Sequence, residues 1–356
     1  MKALLLTAPS TLTFTDVPEP QIETGDVLVR VRACGICGSD IHGWDGSSGR
    51  RTPPLIMGHE ASGEIARVGP GVTRWRVGDR VTFDSTIYCG ECAFCRSAQP
   101  NLCEQRRVVG VAPAEYRQHG AFAEYVALPE RILCALPDGL SYERAAMIEP
   151  VSIAVHAVRR ALPDAGEPGV RTSALGGPAS AVVVGSGMIG MLVIQALRWA
   201  GVERVIAVDL ENARLAVAKE LGATDVVNSG RQDAVAAVAA LTHGLGADYA
   251  FEVVGISPTL QLALGALRRG GTAVLVGNLA PKTDFPLQAV VTRELTLIGT
   301  CGSAGEYPLC LDLMNRGVVR VEPMMTAVAP LAEGAAWFSR LSAKDGGRYL
   351  KVILTP

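Results

Sequence analysis

Residues Ala181 to Gly190 read Ala-Val-Val-Val-Gly-Ser-Gly-Met-Ile-Gly, an apolar run that breaks into glycines spaced G-x-G-x-x-G and continues into a helix-forming stretch. In a strand–turn–helix of this kind each glycine has a mechanical task. Gly185 permits the tight turn, Gly187 lets backbone approach a pyrophosphate, and Gly190 lets the helix pack closely on the strand. The helix start, with Met188 and Ile189, offers unpaired N–H groups and a positive dipole end to phosphates. Glycine-rich turns are common, so context decides. A second strand, Arg204–Val208, ends in Asp209, nineteen residues after Gly190, where an acid can accept hydrogen bonds from an adenosine ribose and repel a 2′-phosphate. The expected cofactor is NAD rather than NADP, with Arg214 counted among the cofactor-binding residues. The bland alternative is a packing turn, with Asp209 a helix N-cap.

The surrounding pattern agrees with a doubly wound fold. Strand-like runs at Ala181–Val184, Val205–Val208, Tyr249–Val253 and Thr272–Val276 alternate with helix-like runs at Ile189–Trp199 and Ala213–Leu221. Such alternation predicts parallel βαβ units. The first 150 residues differ: short β-type runs such as Val27–Val31, Ala61–Val68 and Arg80–Phe83 are bounded by Gly, Pro and Asp. They predict an irregular, mostly antiparallel β-domain. The tail Tyr349–Leu354 reads as a strand that rejoins this domain. The stretch Pro163–Ser180 reads as a loop whose role its residues do not disclose.

With 356 residues, two domains is the natural expectation, and 49% hydrophobic residues suffice for large cores. A formal net charge of −2 leaves no electrostatic footprint for nucleic acid or an anionic membrane. The longest apolar run, near Ala181–Val184, is soon broken by glycines, so no membrane span is expected. Met1–Leu6 lacks the longer apolar stretch of a signal peptide and reads as a first strand. Nine cysteines, an odd number with four tightly clustered, suggest metal ligands in a reducing cytoplasm rather than disulfides.

Those four, Cys89, Cys92, Cys95 and Cys103, are spaced C-x2-C-x2-C-x7-C. Four thiolates within fifteen residues can close a tetrahedral shell around Zn²⁺ with no open position, which makes such a site structural. An iron–sulfur cluster is the main competitor, but the surrounding chain has no other redox feature. A second set is dispersed: Cys37 in Cys34-Gly-Ile-Cys37-Gly-Ser39-Asp40-Ile-His42, His59-Glu60 in Gly58-His59-Glu60-Ala-Ser-Gly63, and Glu149 in Glu149-Pro150. Singly, these read equally well as a surface pair or a helix-end charge. Together they supply a mixed S/N/O zinc site that keeps one position for water or substrate. A Lewis acid there lowers the pKa of an alcohol so that hydride can leave to a nicotinamide. Asp40 is a candidate partner that fixes the tautomer of a histidine ligand.

Taken together, Gly35-Ile-Cys37-Gly-Ser-Asp40, Gly58-His59-Glu60-Ala-Ser-Gly63, the cysteine lobe, Glu149-Pro150 and the glycine turn with Asp209 resemble the zinc-containing medium-chain alcohol dehydrogenase family, within it the polyol (sorbitol-like) and butanediol dehydrogenase branch. The resemblance spans essentially the whole chain. It implies a GroES-like catalytic domain over 1–153, with the zinc lobe at about 85–110, a Rossmann domain over 154–294, and a segment 295–356 that returns to the first. It places the active site in a cleft between the two domains. By the same resemblance Cys37 and His59 are catalytic zinc ligands. Glu60 matches a zinc-ligating glutamate, and Glu149 a residue that ligates zinc or holds its water; their order is left open. Ser39 matches the hydroxyl that takes the substrate proton. His42 matches the base that passes the proton to solvent through the cofactor ribose, the alternative being an exposed loop histidine. Two zinc ions per chain and a homo-oligomer, tetramer ahead of dimer, are implied.

One departure bears on substrate. Sorbitol-type relatives carry an arginine and an aromatic residue after the last Rossmann strand, where this chain has Gly299-Thr-Cys-Gly-Ser-Ala304. A long hydroxylated chain loses anchors there, which favours a shorter diol, a cyclic polyol or a partly apolar secondary alcohol. The competing readings are a pathway-specific ketone reductase, an amino-alcohol (threonine-type) dehydrogenase, a zinc-free quinone reductase and a zinc-stapled binding protein. The ligand set Cys37, His59 and Glu149 argues against the last two.

Overall fold

Valines at 182, 183 and 184 explain the centre of one half of the molecule. The strand Ser180–Val184 is buried at every position, as a strand covered on both faces of a parallel sheet must be. It pairs in parallel with Arg204–Asp209 on one side and Ala247–Glu252 on the other. The sheet extends through Asp225–Asn228 at one edge and through Leu267–Leu275 to Thr296–Gly299 at the other. All its pairings are parallel, the doubly wound order predicted by the alternation.

The structure, a computed structural model, describes residues 1–167, 169–343 and 346–356. Pro168 of the expected loop, and Lys344 and Asp345 of the expected returning segment, lie outside the described residues. The chain divides into two compact units: Met1–Glu149 with Ala304–Gly317 and Val321–Pro356, and Pro150–Ser303 with Val318–Arg320. The parallel sheet belongs to the second. Its edge strand Thr296–Gly299 lies beyond the expected boundary at 294, because a four-residue strand is assigned by the neighbour it pairs with, here Leu267–Leu275. The unit begins within the helix Ile148–Ala161, which tolerates Pro150 in its first turn, where no intrahelical N–H bond is needed.

The first unit is built on a largely antiparallel seven-stranded sheet. Its central strand Asp26–Gly35 pairs antiparallel with Glu60–Val68, with Tyr125–Pro129 and with the tail strand Lys351–Thr355. The tail strand starts at Lys351 rather than Tyr349, after a short 3₁₀ turn over Gly346–Arg348. A smaller sheet of Lys2–Ala8, Thr11–Asp16 and Leu55–Ile56 and a two-stranded pair of Thr86–Ile87 with Arg107–Val108 belong to the same unit. Val27, Val29, Ile65, Val81, Phe122, Phe338 and Leu354 share one buried apolar cluster. No helix among the described residues is long and apolar enough to cross a membrane.

The described part of Pro163–Ser180 is a folded-back arm, with Thr172 bridged to Pro178. Ser173 donates to Asp248 at 2.5 Å, which ties the arm to the start of the sheet. The arm walls a cavity of about 560 Å³ at the N-terminal ends of strands beginning at Ser180, Arg204 and Asp225.

Candidate active site and metal centres

Strand register assembles the dispersed ligand set. Gly35 stands opposite Glu60 in the antiparallel pair, and Ile353 stands opposite Gly35 on the other side. The end of one strand therefore meets the beginning of a second and the middle of the tail strand. Cys37, two residues past the first strand, caps the helix Gly38–Trp44. His59 directly precedes the second, whose first residue is Glu60. One ligand atom each from Cys37, His59 and Glu60 lies within 4.8 Å of the other two.

The surroundings of this triad favour a cation. His59 and Glu60 are buried, and Glu60 Oε1 has no hydrogen-bond partner among the described residues. His59 Nδ1 stands 3.3 Å from Asp40 Oδ1, whose other oxygen accepts the Cys37 N–H at 3.1 Å. Asp40 thus orients both a prospective ligand and the backbone of another. Burial opposes the Asp40 anion, but His59 and Arg51 outweigh it and hold its carboxyl low. Burial likewise opposes a His59 cation, and Asp40 outweighs it, holding the imidazole well above its usual range. A thiol, an imidazole and a carboxylate gathered with an orphaned buried oxygen are a donor set suited to zinc.

Glu149 is partly buried, and its carboxyl is pushed up to about 7, first by desolvation and then by Glu60, against the pull of His59. It is not within the 4.8 Å set. Ser39 and His42 lie on the exposed side of the helix Gly38–Trp44. Ser39 Oγ accepts from the Arg51 guanidinium at 3.2 Å, and Ser47 Oγ lies 3.5 Å from His42 Nδ1. Two further residues, Arg51 and Lys351, stand at this site. Arg51 carried no signal in the sequence. Lys351 did: a lysine opening the apolar run Lys-Val-Ile-Leu has to bury its charge, and its Nζ donates to Glu60 Oε2 at 2.5 Å and to the Ile36 carbonyl at 3.2 Å.

The four-cysteine lobe closes on itself. Sγ atoms of Cys89 and Cys95 are 3.8 Å apart, and those of Cys92 and Cys95 3.5 Å. A tetrahedral ion with Zn–S bonds of about 2.3 Å has S···S edges of about 3.8 Å. Cys89 Sγ accepts N–H bonds from Glu91 and Cys92, and Cys103 Sγ accepts one from Cys89. The Cys95 and Glu104 amides draw the Cys92 thiol down to about 6. No disulfide joins any of the nine cysteines.

In the second unit Gly185 adopts φ +102°, and a Cβ at Gly190 would stand 1.9 Å from the Gly185 carbonyl oxygen, so glycine is required at both. Gly187 caps the helix Met188–Trp199, with open space where a Cβ would be. Asp209 Oδ2 accepts the Ser186 N–H at 2.7 Å and Oδ1 accepts the Glu211 N–H at 2.9 Å. Arg214 lies 4.0 Å from Asp209.

Residues 23–138 match the alcohol dehydrogenase GroES-like domain, and residues 189–316 match the zinc-binding dehydrogenase domain. The chain belongs to the zinc-containing medium-chain alcohol dehydrogenase family, on its polyol branch. It is 34% identical to a sorbitol dehydrogenase of Bacillus subtilis, over 92% of this chain and 89% of that protein. It is 33% identical to a D-arabitol-phosphate dehydrogenase of Enterococcus avium, over 99% and 97%. Among solved structures, 2R,3R-butanediol dehydrogenase from Bacillus subtilis superposes with a TM-score of 0.85 at 32% identity, covering 100% of this chain and 99% of that one. This dehydrogenase is therefore an oxidoreductase acting on alcohols with a nicotinamide cofactor and zinc.

Proposed function

We propose that this dehydrogenase oxidises a secondary alcohol of a short diol or cyclic polyol with NAD, holding one catalytic and one structural zinc per chain. The observation that carries this reading is the convergence of Cys37, His59 and Glu60 around a buried, unpartnered carboxylate oxygen. These three would hold the catalytic ion, with Glu149 near enough to share its charge. Bound there, zinc supplies Lewis acidity to the alcohol oxygen. Ser39 takes the hydroxyl proton and His42 passes it toward solvent. Cys89, Cys92, Cys95 and Cys103 would hold the second ion. One unit supplies the metal-ligating side chains and the other the nucleotide-binding turn. Asp209 supports NAD over NADP, because its carboxylate repels a 2′-phosphate.

The names of the relatives support polyols and diols. The small residues Gly299–Ala304 support compact ones. Clustered thiols that must stay reduced support a cytoplasmic location, and the family resemblance supports a homo-oligomer, tetramer ahead of dimer. The test is NADH formation by zinc-replete protein with vicinal diols, linear sugar alcohols and their phosphates, cyclitols, amino alcohols and simple secondary alcohols, each with NAD and with NADP. Selective NAD-linked turnover of diols or cyclitols is expected. Preference for linear sugar alcohols would overturn the compact-substrate assignment. Full turnover by Cys37→Ala would overturn the catalytic metal assignment.

A further inference from the structure

A buried arginine, Arg51, stands beside Ser39. The backbone around Arg51 is pinned on both sides: Thr52 N–H donates to the Ala112 carbonyl and Ala112 N–H to the Arg50 carbonyl, each at 3.0 Å. From there the side chain runs across the helix Gly38–Trp44 at Gly43. A Cβ at Gly43 would stand 2.5 Å from Arg51 Cδ, 2.8 Å from Cγ and 2.9 Å from Nε. Glycine is the poorest helix former after proline, so its presence inside this helix is explained by the arginine that occupies the space. The guanidinium ends at Ser39, donating to Oγ at 3.2 Å, and stands 3.6 Å from Asp40 Oδ1. Its side chain is 7% exposed, and its Nε has no hydrogen-bond partner among the described residues. A buried cation with an unmade hydrogen bond is a poor device for stability alone.

We propose that Arg51 is a positioning residue for Ser39, fixing the direction in which that hydroxyl relays a proton. The proposal rests on the relay role given to Ser39 above. A serine hydroxyl has one proton and two acceptor lone pairs. Arg51, always charged, occupies one lone pair. The other is left for the substrate hydroxyl, and the serine O–H must point onward, toward the side of the helix where His42 is exposed. As the substrate O–H proton moves onto Oγ, the original serine proton leaves along that second path. The substrate C–H hydrogen departs with its electron pair to the nicotinamide. Ser39 ends neutral, Arg51 keeps its charge, and one proton is released. The guanidinium also opposes any build-up of positive charge on Oγ as a second proton, so the two transfers are forced to occur together.

The experiment compares Arg51→Met, Arg51→Lys and Gly43→Ala with wild type and with Ser39→Ala, using the alcohol turned over fastest in the panel above. Gly43→Ala keeps the guanidinium but drives it off its track. Measured are kcat, KM, the solvent deuterium isotope effect on kcat, zinc content, NADH affinity by fluorescence, and the Ser39 rotamer in crystals. Arg51→Met and Gly43→Ala are expected to lower kcat about 10- to 100-fold, with KM, zinc content and NADH affinity little changed. The solvent isotope effect should change, several Ser39 rotamers should appear, and Arg51→Lys should recover part of the rate. In the Ser39→Ala background Arg51→Met should add nothing. If Arg51→Met lowers kcat only in proportion to lost zinc or lost NADH binding, or if Ser39 keeps one rotamer in Gly43→Ala, the proposal is overturned. If Ser39→Ala itself runs at the wild-type rate, the relay reading fails and the positioning role falls with it.

Discussion

Lys351 and Glu60, 291 residues apart in sequence, form an ion pair at 2.5 Å in which the two side chains are 3% and 1% exposed. Burial opposes the lysine cation, but Glu60 outweighs it and raises the pKa of the ammonium. Only one of the two Glu60 oxygens is engaged, so the lysine neutralises the carboxylate without exhausting its capacity to bind a metal.

Removing that partner should expose the cost of an unpaired buried charge. Lys351→Met is expected to destabilise the metal-free protein by about 3–5 kcal/mol. Added zinc should recover much of the loss, since a second cation then neutralises Glu60. Chemical denaturation with and without zinc checks this, and an equal loss in both would show that the metal does not meet Glu60.

Asp248 gives a pH-dependent stability. It accepts from Ser173 Oγ, from the Ser180 N–H and Oγ, and from Arg268 Nε at 2.5, 2.9, 3.0 and 2.7 Å. Burial alone would raise its carboxyl, but these donors outweigh burial and hold it low. The unfolded chain therefore binds the proton more readily. The stability contributed is fully present above the unfolded value of about 3.9 and is lost as pH falls through the lower folded value. Asp248→Asn should cost about 1–3 kcal/mol near neutrality. That gap should close as acid protonates the wild-type carboxyl, read as melting temperature against pH.

The cysteine lobe is expected to hold its own ion. Cys95→Ala should lower zinc from two per chain to one and lower the melting temperature, because metal binding and lobe folding are coupled. NADH affinity should stay near wild type. Metal analysis with calorimetry checks this, and an unchanged zinc count would refute the site.

Asp209→Ala should weaken NAD binding about tenfold, through lost ribose contacts and a loosened turn at Ser186. It should also improve NADP relative to NAD, since Arg214 is then left without the neighbouring carboxylate. Steady-state kinetics with both cofactors reads the change. An unaltered ratio would remove Asp209 from cofactor choice.

What the sequence alone determined lies within short stretches of chain. The cysteine lobe needs fifteen residues, and the glycine turn needs a strand, ten residues and a helix. In both, spacing along the backbone sets geometry directly, so residue identity suffices. Period and alternation likewise gave the parallel sheet, because burial on both faces leaves its mark on each strand. Tertiary structure decided what depends on register between distant strands. The pairing of Gly35 with Glu60 turned two separate motifs into one donor set, while Glu149 stayed outside its 4.8 Å circle. The tail strand's place beside Gly35 delivered Lys351 to Glu60, and pairing with Leu267–Leu275 moved Thr296–Gly299 into the parallel sheet. The path of Arg51 over Gly43 is of the same kind. Such contacts are set by where whole elements pack, and no residue near either partner in the chain encodes them by itself.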